Sequence, residues 1–133
     1  MALGLTTAQR NSMVQVIQVA VDASSTGTLK LYTTPQPATG GSVGGATLLA
    51  TFSIPNPSAP SASGGVLTFN AISPVTAGAS GTAIWGRFQD GSTAFVADCT
   101  VGTSGTDIVL STNILTSGLQ VSITAATITA GNS

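Results

Sequence analysis

Few side chains in this sequence of 133 residues could do acid–base or metal chemistry. The acidic residues are four aspartates (Asp22, Asp90, Asp98 and Asp107), and they are joined by one cysteine, Cys99, with no histidine and no glutamate. An enzyme needs a proton carrier, a nucleophile with its base, or a metal ion. No two aspartates stand at a spacing that forces them together, so no paired-carboxylate site is predicted. Without histidine, and with one cysteine, a transition-metal site is not expected.

The remaining chemical motifs are equally weak. The glycine-rich stretches 40–45 and 64–65 lack the lysine and serine of a phosphate-binding loop and do not open helices. The run from Asp90 to Ser92 supplies too few oxygens for calcium. Cys99 has no partner for an internal disulfide, and we expect it to be a buried small apolar residue. We therefore expect no enzymatic activity and no cofactor.

Composition indicates a protein that assembles. Charged residues make up 5% of the chain and apolar residues 42%, whereas ordinary domains carry about 25% charged residues. Such a surface favours association with other subunits, although a monomer coated with serine and threonine is the alternative. No lysine or arginine cluster exists to release counterions, so no nucleic-acid partner is expected. With no signal peptide and no apolar stretch of about 18 residues, we expect synthesis in a cytoplasm and no membrane partner.

The N-terminal region predicts the helix that precedes the β-structure. Thr6 and Gln9 have the spacing of a capping box. An apolar stripe follows at helical spacing, formed by Met13, Val16, Ile17, Ala20 and Val21. We predict a helix over residues 7–23, ended by the run of serine, threonine and glycine that follows.

The rest of the chain predicts strands, and its length fits a single domain over residues 1–133. Alternating or apolar runs predict strands within 28–33, 46–54, 66–72, 81–101, 107–111 and 119–129. Two open loops, 34–45 and 55–65, interrupt them; each is an arm that lies across a neighbouring subunit or a flexible surface loop. We predict a mainly β fold, an antiparallel β-sandwich or jelly roll over about 28–129 with one N-terminal α-helix.

The segment 81–101 is the centre of this prediction. Asp90-Gly91 favours a tight hairpin turn, which would place Arg87 opposite Ala94 and Trp85 opposite Val96. One face of the hairpin is apolar and should be core, with Ile84, Phe88, Phe95, Cys99 and Val101. The other face is mixed, and we look for a partner surface there.

Seven residues are candidates for contact with a partner. Trp85 and Arg87 are residue types that often dominate interfaces, and packing of Trp85 under a loop of its own chain is the alternative. Val96 neighbours them, and Tyr32 lies on a second polar face. The prolines of the 55–65 loop could form an assembly arm: Pro55, Pro57 and Pro60.

The order of these segments resembles a family of small structural proteins of tailed bacteriophages, encoded beside the major capsid protein and described as capsid cement or decoration proteins. The matching segments are GTLKLYTTPQP after the helix, TLLA, SGTAIWGRFQDG, VGTSGTD and VSITAATIT. Together they cover about Leu5 to Thr129, while the 55–65 loop is not part of the resemblance.

The resemblance implies a non-enzymatic virion protein of sandwich or jelly-roll fold. It would bind the major capsid protein on the outside of the shell, as a homo-oligomer (dimer or trimer), and stabilise the capsid. Two alternatives stay open: a head-fibre or tail-associated β-domain that binds host-surface glycans, and a tail-tube or connector component. Clustered aromatic residues typical of glycan sites are scarce here, since aromatic residues are 5% of the chain.

Overall fold

The computed structural model describes residues 4–24, 26–33, 36–38 and 40–129. Thr34, Pro35 and Thr39 of the predicted 34–45 loop lie outside the described residues, as do residues 1–3. The strands in the described part are β1 (Thr28–Tyr32), β2 (Leu48–Ser53), β3 (Val66–Thr68), β4 (Val75–Thr76), β5 (Gly81–Thr82), β6 (Trp85–Gln89), β7 (Phe95–Gly102), β8 (Ile108–Leu110), β9 (Ile114–Leu115), β10 (Gln120–Val121) and β11 (Ile123–Thr129).

The helix α1 spans Thr7–Val21 and begins at the predicted capping box. The Thr6 hydroxyl accepts a hydrogen bond from the Gln9 amide at 3.2 Å, and the Gln9 side chain accepts from the Thr6 amide at 3.0 Å. The predicted apolar stripe is buried only in part, since Val21 is buried and Ile17 packs against the core. Val14 and Val21 are the buried residues of α1, whereas Met13 and Val16 point to solvent.

Seven strands form one mixed sheet in the order β2-β1-β6-β7-β8-β11-β3. All neighbouring strands run antiparallel except β7 and β8, which pair in parallel through Val101 and Ile108. The mainly β fold with one helix agrees with the prediction, but the purely antiparallel sheet is wrong. The chain returns through the short loop 103–107, where Asp107 accepts from the Thr100 amide at 3.1 Å and so aligns β8 with the end of β7.

The sheet curls around the core. The Phe69 and Phe88 rings stack with centroids 4.9 Å apart, although Phe69 follows β3 and Phe88 lies on β6, four strand positions away in the sheet. In a flat sheet, four spacings would separate these strands by about 19 Å. The side of the sheet that carries Phe88 therefore encloses large core side chains, among them its cross-strand neighbours Leu29 and Phe52.

The predicted long strand 119–129 is two strands in the structure. β10 pairs with β4 in a separate two-stranded sheet, and β11 enters the large sheet. A register shift between Ile123 and Ala125 reverses the alternation along β11, so Ala126 is buried and Ala125 is exposed. Within the described residues, no helix is long and apolar enough to span a membrane.

Candidate functional site

The β6–β7 hairpin pairs four residues away from the predicted register. Arg87 lies opposite Asp98 and Trp85 opposite Thr100, instead of Ala94 and Val96. The turn is wider than the two residues that Asp90-Gly91 suggested. The Asp90 carboxylate accepts from the amides of Ser92 and Ala94, each at 2.9 Å. This side-chain capping closes a loop in place of a two-residue turn.

A bulge in this hairpin decides which apolar residues reach the core. Gln89 pairs with Phe95 and Phe88 with Ala97, which leaves Val96 as the extra residue. The predicted core residues Phe88, Cys99 and Val101 are buried, and the extra residue turns Phe95 to the opposite face, where it is 40% exposed. Ile84 precedes β6 and is also exposed, so both of these core predictions are wrong.

Arg87 lies at the centre of a closed cluster on the mixed face. Its Nε donates to Asp98 Oδ1 at 2.7 Å, and its Nη2 donates to Asp98 Oδ2 at 3.1 Å and to the Gly41 carbonyl at 2.8 Å. The guanidinium carbon lies 5.3 Å from the Trp85 ring centroid and 5.2 Å from that of Phe95. The side chains of Arg87 and Asp98 are 9% and 3% exposed. The pair is therefore a buried, bidentate ion pair between two aromatic rings.

Trp85 and Tyr32 complete this cluster from the β1 side. Their rings stack with centroids 4.7 Å apart and planes 18° apart. The indole Nε1 donates to the Thr33 carbonyl at 2.8 Å, and Trp85 has no exposed surface. Trp85, Arg87 and Tyr32 are thus enclosed by their own chain, as the alternative reading of Trp85 proposed. The glycine segment at Gly40–Gly41 binds Asp98 and Arg87, and contact of these buried residues with a partner stays a prediction.

Ionisation in the cluster follows from this packing. The hydrogen bonds that Arg87 donates to Asp98 outweigh the effect of burial and raise the pKa of Arg87, which stays charged. Burial raises the pKa of Tyr32, although the positive charge of Arg87 opposes the shift. Burial also raises the pKa of the Cys99 thiol on the neighbouring core face, and its Sγ contacts the Gly86 carbonyl. A neutral tyrosine, a neutral buried thiol and a paired arginine are structural states, and none is poised for proton transfer.

The 55–65 loop lies along α1 of its own chain. The Ser58 amide donates to both carboxylate oxygens of Asp22 at 3.1 Å. The Ala62 amide donates to Gln15 at 2.7 Å and the Gly65 amide to Asn11 at 2.7 Å. This arrangement does not fit a flexible surface loop, whereas a contact of the loop with a neighbouring subunit stays a prediction.

We refer to residues 55–65 as the strap. Pro57 and Pro60 are exposed on it and Pro55 is half-buried. The sequence carried a signal that the interpretation missed. A polar stripe recurs every three or four residues along the helix, at Asn11, Gln15, Gln18 and Asp22. Asn11, Gln15 and Asp22 accept hydrogen bonds from backbone amides of the strap, and Gln18 links the Gln15 and Asp22 side chains. Val96, the other candidate, is half-buried against the core.

The described residues hold no group of three histidine, cysteine or acidic side chains arranged for a metal ion. Each aspartate carboxylate instead accepts hydrogen bonds from groups of its own chain. Asp90 accepts from the Ala94 amide in its own turn, and Asp107 accepts from the Thr100 hydroxyl. Asp22 accepts from the Ser58 amide of the strap, and Asp98 accepts from Arg87.

The structure leaves one part of α1 without cover by its own chain. Val16 is 64% exposed, Val19 61% and Met13 54%. Met13 and Val16 belong to the predicted apolar stripe and Val19 does not, so the sequence pattern did not identify this group as surface.

Comparison with known proteins returns no relative. No protein-family model, no curated protein and no solved structure matches this chain.

Proposed function

We propose that this chain is a non-enzymatic structural protein whose activity is to bind other protein subunits. One observation carries the proposal: every acidic side chain and both arginines hydrogen-bond within the chain. Arg10 donates to the Gly64 carbonyl at 3.0 Å, and Arg87 pairs with Asp98. These contacts leave a surface poor in available charge, in a protein whose formal net charge is −1.

A surface of this kind favours protein contacts over other roles. Binding of nucleic acid needs several cations directed at phosphates, and catalysis needs at least one titratable group directed into a cleft. Subunit interfaces, in contrast, are depleted of charge at their centres and enriched in apolar side chains. Exposed apolar residues on α1 and at Ile114 are consistent with that composition.

The partner that we propose is the major capsid protein of a tailed bacteriophage, on the exterior of the virion. The resemblance of the segment order to capsid cement proteins supports this choice, as does the low-charge surface. In this role the chain would act as a homo-oligomer and stabilise the shell. The sandwich or jelly-roll description of the curled sheet belongs to the same proposal.

The chain would stabilise the capsid shell by burying a small apolar area at each of many identical contacts. An apolar contact contributes about 25 cal/mol per Å² of area removed from water. Contacts below about 1,200 Å² are weak individually, but a shell repeats each of them many times. Enclosure of Arg87 and Asp98 suits this role, because it makes the fold rigid without placing a charge on the contact surface.

Cosedimentation with capsids that lack the protein tests the proposal. We expect binding at a fixed ratio to capsid subunits and a higher melting temperature of the shell. Isolated tail structures and host-surface glycans serve as competing targets in the same assay. Failure to bind capsids before and after expansion would refute the cement role, and binding to tails or glycans would indicate the corresponding alternative.

A further inference from the structure

The helix α1 is apolar on two opposite faces. Val14 and Val21 are buried against the core and Ile17 packs beside them. Val16 and Val19 point away from the core and are more than half exposed. A helix on the surface of a monomer normally has a polar outer face, whereas a helix that is apolar all round is buried. The outer face of α1 is therefore built as if something covers it.

Several polar side chains at the strap side of α1 bind the strap instead of covering that outer face. Asn11, Gln15 and Asp22 bind the strap to one side, and Arg10 donates to Gly64 of the same strap. The exposed outer positions repeat at alternating spacings of three and four residues. We call this set the seam: Gln9, Ser12, Val16 and Val19 of α1, with Ala23 in the turn that follows the helix. Such spacing is that of helices that pack side by side.

We propose that the seam is the contact between two copies of this chain, with the α1 helices antiparallel across a two-fold axis. Val16 of one copy then packs against Val19 of the other, and Ser12 packs against Ala23 at each end. The small end residues allow the two helices to approach closely. Antiparallel packing also opposes the two helix dipoles.

Charge identifies a second copy as the occupant. The seam has no charged residue along its length, so a partner with a charged contact face would lose its hydration without gaining an ion pair. The face that matches an uncharged, valine-centred stripe is the same stripe, and a two-fold interface requires such self-complementarity. A shallow groove runs along the seam and is lined by Ser12, Gln15, Val16 and Val19. Side chains of the second copy would fit into this groove.

The size of the contact sets its strength. A 15-residue helix is about 22 Å long, and a contact between two helices of this length belongs to the weak, transient class that buries less than about 1,200 Å² in total. We expect a dimer that dissociates on dilution in solution. On a repeating shell the local concentration of neighbours would strengthen it. In this respect the inference rests on the proposed function, since it names the contact through which the proposed oligomer forms.

Sedimentation equilibrium over a wide concentration range tests the seam. We expect the wild type to form a dimer, and Val16→Asp to weaken it at least about tenfold, because two carboxylates would meet near the two-fold axis. Ile114→Asp is the matched control: Ile114 is 69% exposed on β9, outside the seam, and its substitution should leave the dissociation constant unchanged. A dimer equally strong in both variants, or a wild type that stays monomeric up to about 1 mM, would overturn the inference.

Disulfide trapping tests the orientation and does not depend on Val16→Asp folding. Chains with Ser12→Cys are mixed with chains with Ala23→Cys under mild oxidation. Positions 12 and 23 are about 16 Å apart along one helix, beyond the reach of a disulfide. Antiparallel packing therefore gives the mixed disulfide, whereas a preference for the two symmetric disulfides would refute it. Cys99 is buried and does not compete.

Capsid cosedimentation separates the two proposals. A wild type that binds capsids but shows no seam contact refutes this inference and leaves the proposed function standing. A dimer with the predicted crosslink that fails to bind capsids refutes the capsid role and leaves the seam standing.

Discussion

Replacing Asp98 by alanine should destabilise the protein more than any loss of a surface ion pair would. The change removes both carboxylate contacts of Arg87, at 2.7 and 3.1 Å. The guanidinium would remain between the Trp85 and Phe95 rings with the Gly41 carbonyl as an acceptor. A charge left buried without its counter-ion is the main reason for the expected loss.

The magnitude follows from burial. Removing one partner of a buried ion pair costs about 3–5 kcal/mol, whereas exposed pairs contribute about 0–1 kcal/mol. Because Arg87 and Asp98 are 9% and 3% exposed, the buried case applies. The retained Gly41 and aromatic contacts place our expectation near the lower limit, at about 3 kcal/mol. A domain of this size has a total stability of about 5–15 kcal/mol, so the melting temperature should fall by roughly 10 °C.

Urea titration followed by tryptophan fluorescence measures this loss, because Trp85 is the only tryptophan and lies in the cluster. A double-mutant cycle adds Arg87→Met, which removes the charge and keeps an apolar stem. We expect the double variant to be more stable than Asp98→Ala alone, with a coupling energy of about 2 kcal/mol. A cost below about 1 kcal/mol for Asp98→Ala, or no coupling, would refute the assignment of a buried pair.

Three further predictions concern separate parts of the fold. Gly91→Ala should cost about 1–3 kcal/mol in urea titrations, because its Cβ would collide with the Ser24 carbonyl, while Gly78→Ala, with open space around it, should be close to neutral. Cys99, buried and with a raised pKa, should react with a thiol reagent only as fast as the protein unfolds; rapid labelling of the native state would contradict its burial. Burial raises the pKa of Tyr32 above its usual 10.0, so the native state holds this proton more tightly, and the free energy of unfolding should fall as the pH rises above that value. Buried Cys99, whose pKa is also raised, adds to this decline in every variant that keeps it, so Tyr32→Phe should show a smaller decline than the wild type, and an equal decline in both proteins would contradict the assignment.

In the β6–β7 hairpin the predicted strand register was wrong, but most side chains were assigned to the correct face of the sheet. The register was wrong by four residues, and an even shift leaves each side chain on the same face of a strand. Phe88, Cys99 and Val101 were therefore correctly assigned to the core. Phe95 was not, because the bulge at Val96 adds one residue and reverses the alternation. Whether such a bulge forms depends on packing around the turn, which the local sequence does not contain.

The strap shows a different limit. The polar stripe from Asn11 to Asp22 was visible at helical spacing, and so was the proline-rich loop. Nothing in either segment indicated that one binds the other, since backbone amides are the partners and every residue except proline has one. A pattern of side chains can indicate that a stripe needs hydrogen bonds without identifying the segment that provides them.

The sequence by itself determined the local features of this protein: the capping box that starts α1, the mainly β character of the rest, and the shortage of chemically active residues. These depend on neighbouring residues or on composition alone. Tertiary structure decided the parallel pairing of β7 with β8, the curl of the sheet, and the burial of Trp85 and Arg87. The last of these depends on Gly41, which is 46 positions from Arg87. Alternation assigns a side chain to a face, but only a remote segment that covers that face determines whether water reaches it.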